Sequence, residues 1–127
     1  MGQMLELRLL RYAAQRISTM QLSIRHLESL GYECDTVERR VTRFVTKDLF
    51  GFGDILAFGH GKVVIVQTTG HTHFYDRRSK IKNSGRAKRW VNNAPNHLIV
   101  LHAWDNSQKP PTLKEQTIDS SFWLADH

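Results

Sequence analysis

GFGDILAFGHGKVVIVQTT, residues 51–69, is the stretch on which the fold turns. Two apolar, β-prone runs flank the GHG connection at 59–61, which reads as a β-hairpin closed by a tight turn. If His60 and Gly61 form a two-residue turn, Gly59 pairs with Lys62 and Asp54 falls directly opposite Gln67. Opposed residues share a face, and so do residues two apart on one strand, so Asp54, Gln67 and Thr69 would converge at one end of the hairpin. A three-residue loop would instead set Asp54 against Val66 and point it away from Gln67.

Working outward, VVIV at 63–66 is apolar on both faces, as a central strand covered on two sides requires. Before the hairpin, Leu5, Leu9, Tyr12, Ala13, Ile17, Met20, Ile24 and Leu27 recur at helical spacing and predict a helix over 4–30, stopped by Gly31. Residues 32–44 alternate partly between β-branched and charged types and predict a half-exposed strand. KDLFGFG at 47–53 is a glycine-rich turn. After the hairpin, helical potential at 76–82 and 86–92 is divided by NSG, HLIVLHA at 97–103 predicts another apolar strand, and a short final strand is expected at 121–125. The expected fold is α/β, a central mixed sheet flanked by helices, in a single domain over 1–127.

Composition narrows the function classes. The chain has 127 residues with Lys+Arg 18 against Asp+Glu 12, a net charge of +6 that favours polyanionic partners. One cysteine, Cys34, excludes an internal disulfide and a four-cysteine zinc site, and nothing near it suggests a nucleophile. With no leader-like N-terminus and no run of about 18 apolar residues, a soluble, cytoplasmic protein without membrane association is expected. The charge is concentrated: Arg77, Arg78, Lys80, Lys82, Arg86, Lys88 and Arg89 fall in thirteen positions with no acid among them. Such a run repels itself unless an anion compensates, and no aromatic series accompanies it, since Trp90 alone reads as core. Contacts to a nucleic-acid backbone, with little base readout, follow.

The hairpin end offers a carboxylate (Asp54), an amide oxygen (Gln67) and the backbone carbonyl of Thr68, the hard oxygen donors that Mg²⁺ or Mn²⁺ prefers. The same residues could equally cap a turn and satisfy neighbouring backbone. His71 and His73 lie close enough in sequence to the hairpin to ligate metal or accept a proton, whereas His97 and His102, on an apolar strand, read as buried and satisfied.

KDLFGFGDILAF, VQTT, RRSKI and LHAW together resemble the PD-(D/E)XK nuclease superfamily, its Holliday junction resolvase-like and phage-encoded members in particular, over residues 32–104. The resemblance implies a restriction-endonuclease-like αβββαβ core and a metal-dependent DNA endonuclease that hydrolyses phosphodiesters of branched or structured DNA, acting as a homodimer. Asp54 matches the metal-binding aspartate, Gln67 the second acidic position and Thr69 the lysine position. Gln for an acid removes a charge from the metal site and Thr for Lys removes a cation. Lys80 is the candidate replacement for the cation, and Glu28 or Asp48 for the carboxylate. The expected catalytic set is Asp54, Gln67, Thr69 and Lys80. The metal set is Asp54, Gln67 and Thr68, and the DNA contacts are Arg77, Arg78, Lys82, Arg86, Lys88 and Arg89. A noncatalytic DNA-binding module with a decayed site is the rival, and a basic interaction subunit of a larger phage complex the third possibility.

Overall fold

The computed structural model describes residues 17–37 and 39–124. Its first helix, α1 (Thr19–Ser29), opens with a capping box. The Ser18 hydroxyl accepts the Gln21 amide N–H at 3.1 Å, and the Gln21 side-chain oxygen accepts the Ser18 N–H at 3.2 Å. Two orphan donors of the first turn are thereby satisfied. The expected helix over 4–30 is met in its second half; the portion 4–16 lies outside the described residues. Gly31, at φ 93°, ends it as expected, with the Tyr32 N–H returning to the Leu27 carbonyl at 3.1 Å.

Then follow β1 (Glu33–Thr36), a small ribbon of β2 (Arg39–Arg40) and β3 (Thr46–Lys47), and the hairpin β4 (Ile55–Gly59) and β5 (Lys62–Gly70). A 3₁₀ turn (His71–His73) leads to α2 (Phe74–Lys82), α3 (Gly85–Asn93), β6 (His97–Asp105), β7 (Thr112–Ile118) and a short α4 (Ser121–Leu124). The five-stranded sheet has the order β1-β4-β5-β6-β7, with β5 and β6 parallel and every other pair antiparallel. The fold is thus α/β, a mixed central sheet flanked by helices.

The hairpin turn is the two-residue one. Gly59 pairs with Lys62 and Ile55 with Val66, and both turn residues, His60 and Gly61, have positive φ of 53° and 74°. Positive φ at both central positions matches the right-handed twist of the strands it joins. Val64, Ile65 and Val66 are fully buried, as a strand covered on both faces must be. Val64 and Val66 pack with Leu27, Ile55 and Ala57 beneath α1, whereas Ile65 packs with Phe52, Phe74, Ile81 and Ala87 beneath α2 and α3. Each such aliphatic side chain contributes about 1.5–3 kcal/mol on burial. Gly53 is required by this packing, since a Cβ there would lie 2.3 Å from Cγ2 of Ile65.

Two expectations are corrected. The strand expected over 32–44 breaks after Thr36 into the separate ribbon, because residues 39–43, three of them arginine, are exposed and have no sheet face to cover. The final strand expected at 121–125 is a helix over its described part, and the closing strand is TLKEQTI at 112–118 instead. As an edge strand it needs few apolar residues, here one on each face, Leu113 half-buried opposite Trp104 and Ile118 buried opposite Ile99. The Asp119 carboxylate then accepts both the N–H and the hydroxyl of Ser121, turning the chain into α4 and holding its own pKa below the usual carboxylate range.

Candidate active site and basic groove

Asp54 sits immediately before β4, fixed by its backbone. Its N–H donates to the Val66 carbonyl at 2.9 Å and its carbonyl accepts the Val37 N–H at 3.0 Å. Its Oδ2 accepts two hydrogen bonds, from Gln67 Nε2 at 2.7 Å and from the Thr68 backbone N–H at 2.9 Å. Strand alternation places Gln67 and Thr69 on the face of Ile65, toward α2 and α3. Asp54 and Gln67 are therefore brought together as expected, and Asp54, Gln67 and Thr69 are all buried. The site lies at the carboxyl ends of the parallel pair, where open α/β sheets characteristically bind ligands.

Gln67 Oε1 is buried with no hydrogen-bond partner among the described residues. A buried amide oxygen without a partner carries a desolvation cost of about 1–3 kcal/mol, which a cation would relieve. The Gln67 amide nitrogen lies 2.7 Å from Asp54 Oδ2 and 3.5 Å from the Thr68 carbonyl. Turning the amide over would carry Oε1 from its partnerless position to Asp54 Oδ2 and the Thr68 carbonyl, a three-oxygen set that fits a hard divalent ion, and would put Nε2 in the place Oε1 now occupies.

The other candidates separate. Lys80, on α2, donates to Asp48 Oδ2 at 3.3 Å, so the proposed replacement cation and one proposed replacement acid are paired with each other. Glu28 is exposed on α1, across the sheet from Gln67, and is not part of the site. His71 and His73 are exposed in the 3₁₀ turn, each near a different carboxylate, Asp105 at 3.7 Å and Asp76 at 3.8 Å. Cys34 has its thiol pKa pushed up, first by burial and then by Glu28, Asp35 and Glu33, which keeps it a poor nucleophile.

A cleft of about 750 Å³ is lined by Arg39, Lys47, Lys80 and Arg86, with Asp48 as its acid, and is linked to the site through Val37 in its wall, whose N–H donates to the Asp54 carbonyl. A shallower hollow shares Phe50 and Arg86 and adds Arg89, Trp90 and Asn93. The basic run thus divides by role. Arg86, Lys88 and Arg89 are exposed on α3 and Arg77 is half-buried on α2. Arg78 donates to the Gln116 side chain at 3.1 Å, Lys82 donates to the Phe122 carbonyl, and both cations lie over the Phe122 ring. These two tie α2 to β7 and α4. Arg39 and Lys47, from the ribbon, join the groove without having been singled out by sequence. Trp90, expected in the core, is half-buried and packs against it: its indole donates to the Leu98 carbonyl at 3.0 Å and stacks on His97.

A second polar cluster, on the α1 face, escaped sequence reasoning. His102 is buried as expected, but its Nδ1 lies 2.8 Å from Ser23 Oγ and its Nε2 lies 2.7 Å from Glu115 Oε2. Trp104 Nε1 donates to Ser23 Oγ at 2.8 Å, Ser23 Oγ lies 2.9 Å from Thr68 Oγ1, and Thr68 Oγ1 donates to the Thr19 carbonyl at 3.1 Å. His26 stands with its Nε2 3.8 Å from Glu115 Oε2. Burial lowers the His102 pKa, opposed by the hydrogen bond and charge of Glu115 and aided by His26. The participants come from α1, β5, β6 and β7, and the one local cue is the Ser23–His26–Leu27 spacing on the inner face of α1.

Comparisons with protein-family models, with curated proteins and with solved structures returned no match. Among the described residues no helix is long and apolar enough to cross a membrane.

Proposed function

We propose that the chain is a divalent-metal-dependent deoxyribonuclease with a restriction-endonuclease-like core, acting on the backbone of branched or otherwise structured DNA. The observation that carries this reading is the buried Asp54–Gln67–Thr68 constellation beside a cationic cleft, with Gln67 Oε1 left without a partner. The succession of a helix, three antiparallel strands, a helical crossover and a strand parallel to the third supports it. Asp54, the Gln67 side chain and the Thr68 carbonyl would hold Mg²⁺ or Mn²⁺. Such an ion supplies an activated water and stabilises charge on the phosphodiester.

The protein's own contributions follow from charge and position. Arg39, Lys47 and Arg86 line the cleft and neutralise phosphates, and Lys88 and Arg89 extend the cationic surface along α3. Lys80 is partly exposed and its pair with Asp48 is worth about 0–1 kcal/mol, so a phosphate can take the ammonium from Asp48 at little cost. With one carboxylate among its ligands, the site binds metal weakly and gains affinity from the substrate's phosphate.

The test is cleavage of labelled duplex, single-stranded and four-way-junction DNA with Mg²⁺ or Mn²⁺. Wild type is expected to cut, Asp54→Ala to lose at least about a hundredfold in rate, and Lys80→Ala to lose about tenfold or more. Binding without cutting under any metal overturns the enzymatic reading in favour of a noncatalytic DNA-binding module. That rival is favoured by the Gln at position 67 and the Thr at position 69.

A further inference from the structure

We propose that His26, His102 and Glu115 form a second metal site, specific for a borderline transition ion such as Zn²⁺ or Co²⁺, that clamps α1 to β6 and β7 on the sheet face opposite Asp54. One ligand atom from each residue lies within 4.8 Å of the others. His26 and Glu115 are 33% and 40% exposed, so solvent reaches the cluster and can provide a fourth ligand. Two imidazoles and a carboxylate suit Zn²⁺ and its neighbours, whereas the all-oxygen set at Asp54 suits Mg²⁺.

Hydrogen counting in the network behind His102 points the same way. Five contacts need a hydrogen: Glu115 with His102 Nε2, His102 Nδ1 with Ser23, Trp104 with Ser23, Ser23 with Thr68, and Thr68 with the Thr19 carbonyl. A neutral imidazole, the indole and two hydroxyls supply four. If His102 carries its hydrogen on Nε2, Nδ1 accepts from Ser23, and the single Thr68 hydroxyl hydrogen serves either Ser23 or the Thr19 carbonyl, so one of those two contacts goes without. If it carries the hydrogen on Nδ1, the chain from Nδ1 through Ser23 and Thr68 to the Thr19 carbonyl is complete, and the Nε2 lone pair faces Glu115 Oε2 at 2.7 Å. In either tautomer one contact is short of a hydrogen, and a cation between Nε2 and Glu115 Oε2 would complete the set.

His26 distinguishes a metal from a proton. A proton shared between His102 and Glu115 has no use for a third group. His26 Nε2 nevertheless stands 3.8 Å from Glu115 Oε2, too far for a hydrogen bond, and with His102 Nε2 at 2.7 Å the two distances bracket the separation of about 3.4 Å between two ligands of one tetrahedral zinc ion, so the side chains would shift slightly to seat it. The Ser23 hydroxyl beside Nδ1 is the outer partner that fixes tautomer and ring orientation in metal-binding histidines.

Full-length protein stripped with chelator is titrated with Co²⁺ and Zn²⁺, following the cobalt absorption spectrum, calorimetric stoichiometry and thermal midpoint. The expected result is one equivalent of Co²⁺ with the intense bands of a tetrahedral site, displacement by Zn²⁺ and a raised midpoint. His26→Ala and Glu115→Gln, both at partly exposed positions, are expected to stay folded by circular dichroism and to bind on the order of a hundredfold more weakly. Asp54→Ala is expected to leave the cobalt spectrum unchanged, which separates this site from the proposed nuclease site. No stoichiometric binding, a weak octahedral spectrum, or unchanged affinity in both His26→Ala and Glu115→Gln overturns the proposal.

Discussion

The two faces of strand β5 carry two polar clusters back to back, and they solve burial differently. On the α2/α3 face, Asp54 and Gln67 are nearest neighbours in one hairpin register, and an amide oxygen is left without a partner. On the α1 face, Ser23, Thr68, His102 and Trp104 come from three elements, α1, β5 and β6, and every buried side-chain atom of theirs has a contact. Thr68 belongs to both, its backbone N–H on Asp54 and its hydroxyl in the α1 network. A group kept satisfied by neighbours from several elements holds the fold together. A group left short of one partner, at a strand end beside a cationic cleft, is where a ligand lowers the free energy most.

The sharpest way to break that contrast is to remove the hub of the satisfied side. Ser23→Ala leaves the Trp104 indole N–H and His102 Nδ1 without their shared partner in a dry site. At about 1–3 kcal/mol for each stranded group, a loss of roughly 3–4 kcal/mol is expected, read as a lower urea midpoint at unchanged slope. DNA affinity per folded molecule should be unaffected.

Gln67→Glu tests the other face with a somewhat smaller effect. A second carboxyl placed 2.7 Å from Asp54 Oδ2 cannot ionise freely, so it stays protonated with its pKa raised in the folded state. The sign follows: its favourable contact is fully present below the unfolded pKa of about 4.3 and is lost as pH rises through the folded value. The variant should therefore lose about 2–3 kcal/mol between acid and neutral pH, relative to wild type, in chelator, and regain it with Mg²⁺. A variant as stable as wild type at neutral pH without metal would mean that the two side chains are not in contact.

The same contrast explains what could be read from residues alone. The Asp54–Gln67 pair is a local object: the His60–Gly61 turn sets its register, and alternation sets its face. Ser23, His102 and Glu115 are joined across 79 and 13 positions by α1 packing and by the pairing of His102 with Glu115 between β6 and β7. No spacing encodes that. Strand β7 is illegible for a related reason, since both of its faces are mostly polar, Lys114 and Gln116 beside Ile118 on one and Glu115 and Thr117 beside Leu113 on the other. The basic run was legible as charge but not as geometry. Arg78 and Lys82 look like their neighbours in sequence and differ only because Gln116 and Phe122 lie within their reach.

Thr68→Val probes the residue the two faces share. Valine keeps the shape and the backbone N–H that Asp54 accepts, but removes the hydroxyl that links Ser23 to the Thr19 carbonyl. A loss of about 1–2 kcal/mol is expected with Mn²⁺ affinity unchanged, because the Thr68 carbonyl is retained. A large fall in Mn²⁺ affinity would show the two clusters to be coupled through β5.

The smallest stability effect separates holding the fold from holding a polyanion. Lys80→Ala and Lys82→Ala each remove one positive charge from α2. Lys80 reaches a partly exposed Asp48 at the cleft, where the pair contributes about 0–1 kcal/mol, so its removal should shift the urea midpoint very little. Lys82 docks α2 on the Phe122 carbonyl and ring, so its removal should cost more stability. For DNA binding the ranking reverses. Lys80→Ala should lower the slope of log affinity against log salt by about one, as loss of a phosphate contact requires, while Lys82→Ala changes it less. Equal salt slopes in the two variants would place the DNA path away from the Asp48–Lys80 cleft, and with it the substrate away from Asp54.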